Sequence, residues 1–485
     1  MAVLKLSTPG VYVQEISSLP PSVAEVETAI PAFIGYTEKA DRFAAGDLKK
    51  VANKVNNLSE FVQFYGGPAM ETNASISVSV TDNGSSNFNV SIVPVSPSQR
   101  SKYNLYYSVK HFYDNGGGTC YIVSMETYQT PSAVSDTLLL EGLDIVNEVD
   151  EVTLLVIPEA TKVTPVAYAA IVNKMITQAA TLKDRFALID PFQVTPKNTA
   201  DPNGDIDADA LIIRNATLSV TENRYAAAYY PNLITSYEYK HDFDILAVDN
   251  YTLAAGVLAP SIPGYVAGMT MTTAGAGSVL YTKVKDELKK QYVVLPPSPA
   301  MAGIYTNVDS NKGVWKAPAN ESVSAVVAPE ISISNREQEN LNVDPNSGKS
   351  INVIRTFPGY GTLVWGARTL NGNDNEWRYI SVRRFFNMVE ESVKKSSQWA
   401  VFEPNTISTW VKIQAMIENY LFLKWRDGAL AGVKPEQAFF VKVGLGTTMT
   451  SLDILEGRMN VEIGMAVARP AEFIVLKFSQ LMQQS

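Results

Sequence analysis

The stretch that decides the fold class is residues 152–189, VTLLVIPEATKVTPVAYAAIVNKMITQAATLKDRFALI. It begins and ends with short apolar runs, at 152–157 and 185–189, each of the length of a buried strand. Between them, residues 165–182 have the length and spacing of a helix that begins at a proline. A further strand is expected around 225–230. Strands that alternate with helices are typical of a largely parallel sheet, so the sequence predicts an α/β core.

Working outward, a chain of 485 residues with 46% hydrophobic and 18% charged residues should fold into more than one domain. We predict a mixed α/β and α+β multidomain protein: an α/β core with extended strand arms at both ends and a peripheral β-hairpin insertion. The predicted divisions are an N-terminal arm at 1–20, an α/β region at 21–350, a C-terminal domain at 351–470 and a C-terminal arm at 471–485. Within the α/β region, the hairpin insertion occupies 70–102 and a variable outer part occupies about 195–290.

The hairpin is predicted from strict alternation. Ile76, Val78 and Val80 alternate with serines, a turn-forming run follows at 82–86, and alternation resumes at Phe88. Its serine-rich face indicates an exposed insertion whose removal would leave the fold intact.

Two amphipathic helices are predicted in the last third of the chain, at 382–399 and 406–427, since apolar residues recur there at helical spacing. In the second helix the apolar stripe includes Ile407, Trp410 and Val411. A half-buried strand is predicted at 459–467.

Both ends of the chain carry β-forming segments with little nearby sequence to pair with. The N-terminal strand residues are Val11, Tyr12, Val13, Gln14 and Ile16, followed by a Pro20-Pro21 stop. The C-terminal strand residues are Phe473, Ile474, Val475, Leu476 and Phe478. A strand edge without a partner can be completed by another subunit's sheet, so these arms favour assembly of identical copies.

The composition argues against several function classes. The net charge of −9 opposes nucleic-acid binding. One cysteine and two histidines provide no disulfide and no structural zinc site, and we expect neither a metal nor a cofactor. The first ten residues lack a signal-peptide pattern, which indicates folding in the cytosol. The charge-free run at 251–282 is interrupted by prolines and glycines, so direct membrane insertion is not expected.

Fragments of catalytic or ligand-binding motifs occur but are incomplete, and we predict no catalytic residue. The run 347–350 resembles the end of a phosphate-binding loop, but Val343 replaces the required glycine. The run 201–212 lacks the glycine and glutamate of a calcium loop. Cys120 is expected to enter a buried strand, and His241 to lie in a charged surface segment. An α/β enzyme with acidic catalytic residues in 195–290 remains an alternative.

Six sequence motifs in the last 191 residues carry a family resemblance, together with two nearer the N-terminus. The motifs are TPGVYVQE (8–15), FYDNGGGTCY (112–121), LPPS (295–298), GVWKAPAN (313–320), GTLVWGARTL (361–370), FEPN (402–405), WRDGAL (425–430) and PAEFI (470–474). In this order they resemble the sheath proteins of contractile phage tails and extracellular contractile injection systems, most closely the latter. Residues 70–102 and 195–290 carry no such motif.

The resemblance implies a structural subunit that polymerises helically around an inner tube and contracts to drive the tube through a target cell envelope. The implied partners are other copies of the chain, the inner tube protein, and baseplate and terminal cap proteins. Assembly in the bacterial cytoplasm, within a released phage-tail-like particle or virion, follows from the same resemblance. The terminal arms would complete sheets in adjacent subunits, and residues 351–470 would be the sheath assembly domain. A non-contractile shell or adhesin protein is a further alternative.

Contact with the tube is expected to use helix charges, because complementary charge sets register without requiring strong affinity. The helices at 382–399 and 406–427 are both candidates for this contact, and the possible tube-facing charges are Arg383, Arg384, Lys394 and Lys395.

Overall fold

The computed structural model describes residues 22–72, 75–94, 100–130, 132–193, 205–217, 221–275 and 277–476. Its strands are β1 (Pro31–Thr37), β2 (Asn53–Val55), β3 (Ile76–Asp82), β4 (Phe88–Pro94), β5 (Cys120–Thr127), β6 (Leu154–Val156), β7 (Phe186–Ile189), β8 (Ala226–Tyr230), β9 (Leu233–Glu238), β10 (Asn250–Leu253), β11 (Tyr292–Leu295), β12 (Val326–Pro329), β13 (Ile351–Phe357), β14 (Gly361–Val364), β15 (Phe439–Val443) and β16 (Val461–Met465).

The helices are α1 (Leu58–Tyr65), α2 (Leu105–Asp114), α3 (Asp136–Asn147), α4 (Pro165–Leu182), α5 (Ile206–Ala216), α6 (Met271–Ala274), α7 (Val279–Leu288), α8 (Ser298–Lys312), α9 (Asn335–Asn342), α10 (Ile380–Ser396), α11 (Ile407–Arg426), α12 (Pro435–Ala438) and α13 (Ser451–Leu455). Three short 3₁₀ helices lie at Pro158–Lys162, Glu222–Tyr225 and Gln398–Ala400. Across the described ranges, none of the helices has both the length and the apolar character needed to span a bilayer.

The chain divides into two compact units. The larger, here called the core unit, comprises residues 27–388 and the chain from 469 onward, and the smaller, here called the small unit, comprises residues 389–468 with the chain up to 26. The predicted boundary at 350/351 therefore differs from the observed one, which falls within α10. Residues 351–388 group with the core because β13 pairs in parallel with β8.

An eight-stranded sheet forms the centre of the core unit, in the order β14-β13-β8-β7-β6-β1-β5-β2. Its six inner strands, from β13 to β5, pair in parallel, and the two edge strands pair antiparallel. This confirms the predicted α/β fold. The helix predicted at 165–182 is α4, whose first turn is capped by the Thr164 side chain.

Helices cover both faces of this sheet because its strands are apolar on both sides. Along β1, Ala32 and Ile34 pack into a cluster with α3, α4 and α5, whereas Phe33 packs into a second cluster with α1, α2 and α8. The central strands are therefore buried on both faces, which explains their unbroken apolar runs.

The predicted hairpin is confirmed as β3 and β4. The apolar face of the hairpin is buried, however. It packs with residues from 246–284 into a separate apolar cluster, and β10 pairs in parallel with β3. We call β3, β4, β10, α6 and α7 the outer layer. A further antiparallel sheet of the core unit has the order β11-β9-β12.

Candidate assembly surface

The small unit contains a two-stranded antiparallel sheet, β15 and β16, with pairs running from Phe439 opposite Met465 to Val443 opposite Val461. Among the described residues, neither strand pairs with a third strand. The sheet therefore presents edges at which an added strand could hydrogen-bond. The predicted strand at 459–467 is confirmed as β16.

One face of this sheet is built around Gly464. A Cβ atom at that position would lie 2.3 Å from Cε1 of Phe440, so the Phe440 ring covers the glycine from the opposite strand. The ammonium group of Lys442 lies 4.6 Å from the centre of the same ring. This cross-strand packing fixes the register of the pair.

Helix α11 supports the sheet and the loop before it. Gln414 Nε2 donates to the carbonyl of Val441 in β15, at 3.2 Å. Trp410 Nε1 donates to Oδ1 of Asn405, at 2.6 Å, and Asn405 Nδ2 donates to the carbonyl of Arg458, at 2.9 Å. Of the predicted apolar stripe of this helix, Trp410 is buried, whereas Ile407 and Val411 are exposed.

The predicted N-terminal strand residues, Val11, Tyr12, Val13, Gln14 and Ile16, lie outside the described residues. The segment that follows them is fastened within the small unit. The backbone N–H groups of Ala24 and Val26 donate to the hydroxyls of Ser396 and Ser392, each at 3.1 Å, and Glu25 forms an ion pair with Lys424. We call residues 24–26 the N-arm root.

The described part of the predicted C-terminal strand, residues 473–476, is exposed. Phe473, Ile474, Val475 and Leu476 have exposed fractions of 71–78% and belong to no strand, and Phe478 lies outside the described residues. Four consecutive apolar side chains in water are unfavourable, so this segment is suited to burial against another molecule.

The residues just before this segment are fastened to the core unit. The carboxylate of Glu472 accepts hydrogen bonds from Arg368, Asn342 and Tyr379. Arg469 Nη1 donates to the carbonyl of Asn375 at 2.7 Å. We call Arg469–Glu472 the C-arm root. Burial alone would raise the pKa of Glu472, but its hydrogen bonds, above all those from Arg368, hold that pKa below its usual value.

The structure contradicts half of the tube-contact prediction. Arg383 and Arg384 have exposed fractions of only 2% and 4%. The Arg383 guanidinium stacks 4.3 Å from the ring centre of Trp377, and Arg384 forms a buried ion pair with Asp309. Neither can face a tube, so the prediction is wrong for both.

Lys394 and Lys395 differ from the two arginines. Both lie in the last turn of α10, within the small unit, and their ammonium groups are 3.0 and 3.4 Å from the carboxylate of Glu391. The Lys394 side chain is 67% exposed, so it can reach a partner.

The residues that the sequence offered as fragments of catalytic or ligand-binding motifs make contacts of the kind found in the interior of any fold. Cys120 is fully buried in β5, as predicted, and burial raises the pKa of its thiol to about 12. Lys349 Nζ donates to the carbonyls of Arg214 and Thr217, and the neighbouring turn lies at 345–347. His241 is half-buried, and burial lowers its pKa to about 4. In the described ranges, no cluster of three or more metal-ligating side chains occurs.

Sequence reasoning missed both arm roots. Glu472 lies within the PAEFI motif and Arg368 within GTLVWGARTL. The sequence signal that could have revealed the C-arm root is that one motif contains an acidic residue and the other a basic residue. The serines that hold the N-arm root have no such signal, because Ser392 and Ser396 fit any amphipathic helix.

Comparison with known proteins finds similar chains in phage tails and contractile particles. The family model for the phage tail sheath C-terminal domain matches residues 372–480. A chain of the anti-feeding prophage baseplate, a structure with six-fold symmetry, is 30% identical, with 98% of this chain and 99% of that chain covered and a TM-score of 0.60. A chain of the contracted PVC sheath complex of an extracellular contractile injection system is 29% identical, with 98% of each chain covered and a TM-score of 0.62.

The curated relatives are matched over shorter stretches. The tail sheath protein of Enterobacteria phage T4 is 24% identical over 128 residues, which is 26% of this chain and 19% of the phage protein. A protein of Pseudomonas aeruginosa (strain UCBPP-PA14), described as a prophage major tail sheath protein, is matched at 26% identity over 24% of this chain and 30% of its own length. The chain thus spans less than a third of the length of these two relatives.

The largely parallel α/β core with a separate small unit defines a mixed α/β protein of more than one unit. Within that class, the match to the sheath C-terminal domain, together with the near-complete matches at 29–30% identity, decides the family. The chain belongs to the contractile tail sheath protein family.

Proposed function

We propose that this chain is the repeating subunit of a helical sheath that surrounds an inner tube and contracts to drive the tube through a target cell envelope. The observation that carries the proposal is the β15–β16 sheet, whose strands have no third partner among the described residues. The exposed apolar segment at 473–476 is of the right kind to extend such a sheet in a neighbouring copy. The N-terminal segment at 11–16 would do the same.

This mode of linkage suits a lattice that must change shape. Backbone hydrogen bonds between added strands and a sheet are numerous and do not depend on the rest of each subunit. Subunits joined in this way stay connected while their other contacts are exchanged. The free energy released on contraction would then come from new contacts between subunits, and no catalytic step is required of the chain.

Removing the C-terminal arm tests the proposal. We expect the full chain to form tubes in negative-stain electron microscopy and a chain ending at Glu472 to remain a folded monomer. A matched variant, Ile474→Asn with Leu476→Asn, keeps the length but lowers strand propensity and apolar burial, and it should assemble poorly. Tubes of normal appearance from both variants would contradict the arm model.

The proposed partners are further copies of the chain, the inner tube, the baseplate and a terminal cap, in a particle assembled in the cytoplasm. A non-contractile shell of the same subunits predicts a single tube form, whereas a sheath predicts extended and contracted forms in electron micrographs. A stable monomer that binds a ligand saturably would instead favour the α/β enzyme alternative.

For tube contact, we propose that Lys394 and Lys395 remain candidates and that Arg383 and Arg384 do not. Lys394→Gln with Lys395→Gln removes two positive charges near Glu391 without placing new carboxylates there. Sheath tubes should still form, but with lengths no longer matched to the inner tube when the two proteins are assembled together. Lys434→Gln with Arg458→Gln removes two positive charges from exposed positions of the small unit outside α10, α11 and the β15–β16 sheet, and it is the control. Unchanged co-assembly in the first variant would remove α10 from consideration.

A further inference from the structure

The two arm roots are fastened in different units of the chain. The N-arm root bonds to Ser392, Ser396 and Lys424, all in the small unit. The C-arm root bonds to residues 342–379, all in the core unit. Although residues 389–468 immediately precede the C-terminal arm in sequence, the arm leaves from the core unit.

The strongest contact of the C-arm root is a carboxylate clasp formed by Glu472 with Arg368, Asn342 and Tyr379. Arg368 Nη2 donates to Oε2 of Glu472 at 2.7 Å, and Arg368 Nε donates to Oε1 at 3.0 Å. Asn342 Nδ2 donates to Oε1 at 2.8 Å, and the Tyr379 hydroxyl donates to Oε2 at 3.2 Å. Both carboxylate oxygens therefore have two donors, in the paired geometry that gives Arg–carboxylate contacts their directionality.

The clasp is rigid because Arg368 is itself held firmly. Its side chain is only 5% exposed, whereas that of Glu472 is 23% exposed. The Asn352 side chain accepts from the Arg368 N–H at 2.8 Å and donates to the Arg368 carbonyl at 2.7 Å. Asn352 lies in β13 and also donates to the carbonyl of Ala228 in β8. The anchor of the arm is thus connected directly to the central sheet.

Directly after the clasp, the chain becomes exposed. Residues 473–476 are largely exposed and in no strand. One residue, Glu472, therefore separates a segment fixed to the sheet from a segment that is free to pair. A surface ion pair would contribute little, but this pair is largely buried and has four donors.

We propose that Glu472 is the positioning residue of the C-terminal arm: it fixes the direction in which residues 473–476 leave the core unit. This inference rests on the proposed sheath function and adds its anchor. Because the N-arm root belongs to the small unit, the two arms of one subunit are carried by separate units.

The direction of the arm is measured on the full-length monomer. Cysteines at the exposed positions Ile474 and Tyr360 of the core unit carry nitroxide labels, and Cys120 is fully buried and does not react. The distance distribution between the labels should be narrow with Glu472. It should become at least about twice as wide with Glu472→Ala, because the arm then behaves as a flexible chain from residue 469. Glu472→Gln should be intermediate, since it keeps a bond to Asn342. An equally narrow distribution in Glu472→Ala would overturn the proposal.

The matched control is Glu376→Gln, which removes a negative charge from an exposed residue of the same unit that lies outside the clasp. Its distance distribution should equal that of the parent. In the unlabelled chain, Glu472→Ala should raise the protein concentration needed for tubes by roughly ten-fold, through loss of arm preorganisation. An unchanged concentration would also contradict the proposal. If the parent chain forms no tubes, the sheath function fails, and the label distances still decide the role of the clasp.

Discussion

At the scale of single residues, some charged side chains are buried against partners from distant parts of the chain. Arg383 and Arg384 show this most clearly. Their spacing between apolar residues of α10 predicts a solvated face, yet the ring of Trp377 covers one guanidinium and Asp309 neutralises the other. A helix pattern shows which positions alternate with the apolar stripe, but not which distant residues pack over them. The burial of these arginines was therefore beyond the reach of the sequence.

Arg384 consequently supports the fold. Arg384→Met leaves Asp309 as a buried carboxylate without its charge partner, and we expect it to lower the free energy of unfolding of the core unit by about 3–5 kcal/mol. Urea denaturation followed by circular dichroism measures this change. Lys394→Met, at an exposed position of the same helix, should stay within about 0.5 kcal/mol of the parent. A loss below about 1 kcal/mol in the Arg384 variant would show that Asp309 finds another partner.

At the scale of helices and strands, regular elements with strong periodicity were predictable. Helix α4 and the β3–β4 hairpin follow directly from their sequence patterns. Pairing between distant segments was not predictable in the same way. Nothing in NYTL, the sequence of β10, indicates that this strand joins β3. The strand predicted at 473–478 is absent at 473–476 in the single chain, since a strand needs a neighbour to hydrogen-bond with.

The β15–β16 sheet offers a test at the same scale. Gly464→Val places a branched side chain where the Phe440 ring lies, and we expect it to destabilise the small unit by about 1–3 kcal/mol. In a Phe440→Ala background the clash is gone, and the same change should be neutral or stabilising, because valine favours strands. Hydrogen exchange of residues 439–465, read by mass spectrometry, reports the effect. The same loss in both backgrounds would show that the Phe440–Gly464 contact does not determine the register.

At the scale of the whole molecule, the outer layer is separable from the rest of the core unit. Its apolar cluster, which includes Val78, Phe88 and Leu246, is distinct from the two clusters beside the central sheet. The chain also enters and leaves it at closely spaced points. Glu238 pairs directly with Tyr292, and the carboxylate of Glu71 accepts from the N–H of Ser101 at 3.1 Å. Segments 73–99 and 242–290 can thus be replaced by short turns without stretching the remaining strands.

From this geometry we predict that the protein tolerates deletion of both segments better than deletion of the hairpin alone. The sequence by itself favoured the hairpin deletion. Replacing 73–99 alone removes β3 and β4, which cover apolar residues such as Leu246 and Val248. These side chains then become exposed to water, so the variant should aggregate or lose solubility. Replacing both segments removes the whole cluster, and the shortened chain should remain a monodisperse monomer that still forms tubes. Size-exclusion chromatography followed by negative-stain microscopy separates the two variants. If the hairpin deletion is soluble and the double deletion aggregates, the outer layer is part of the folding core, and assembly depends on more than the two units and their arms.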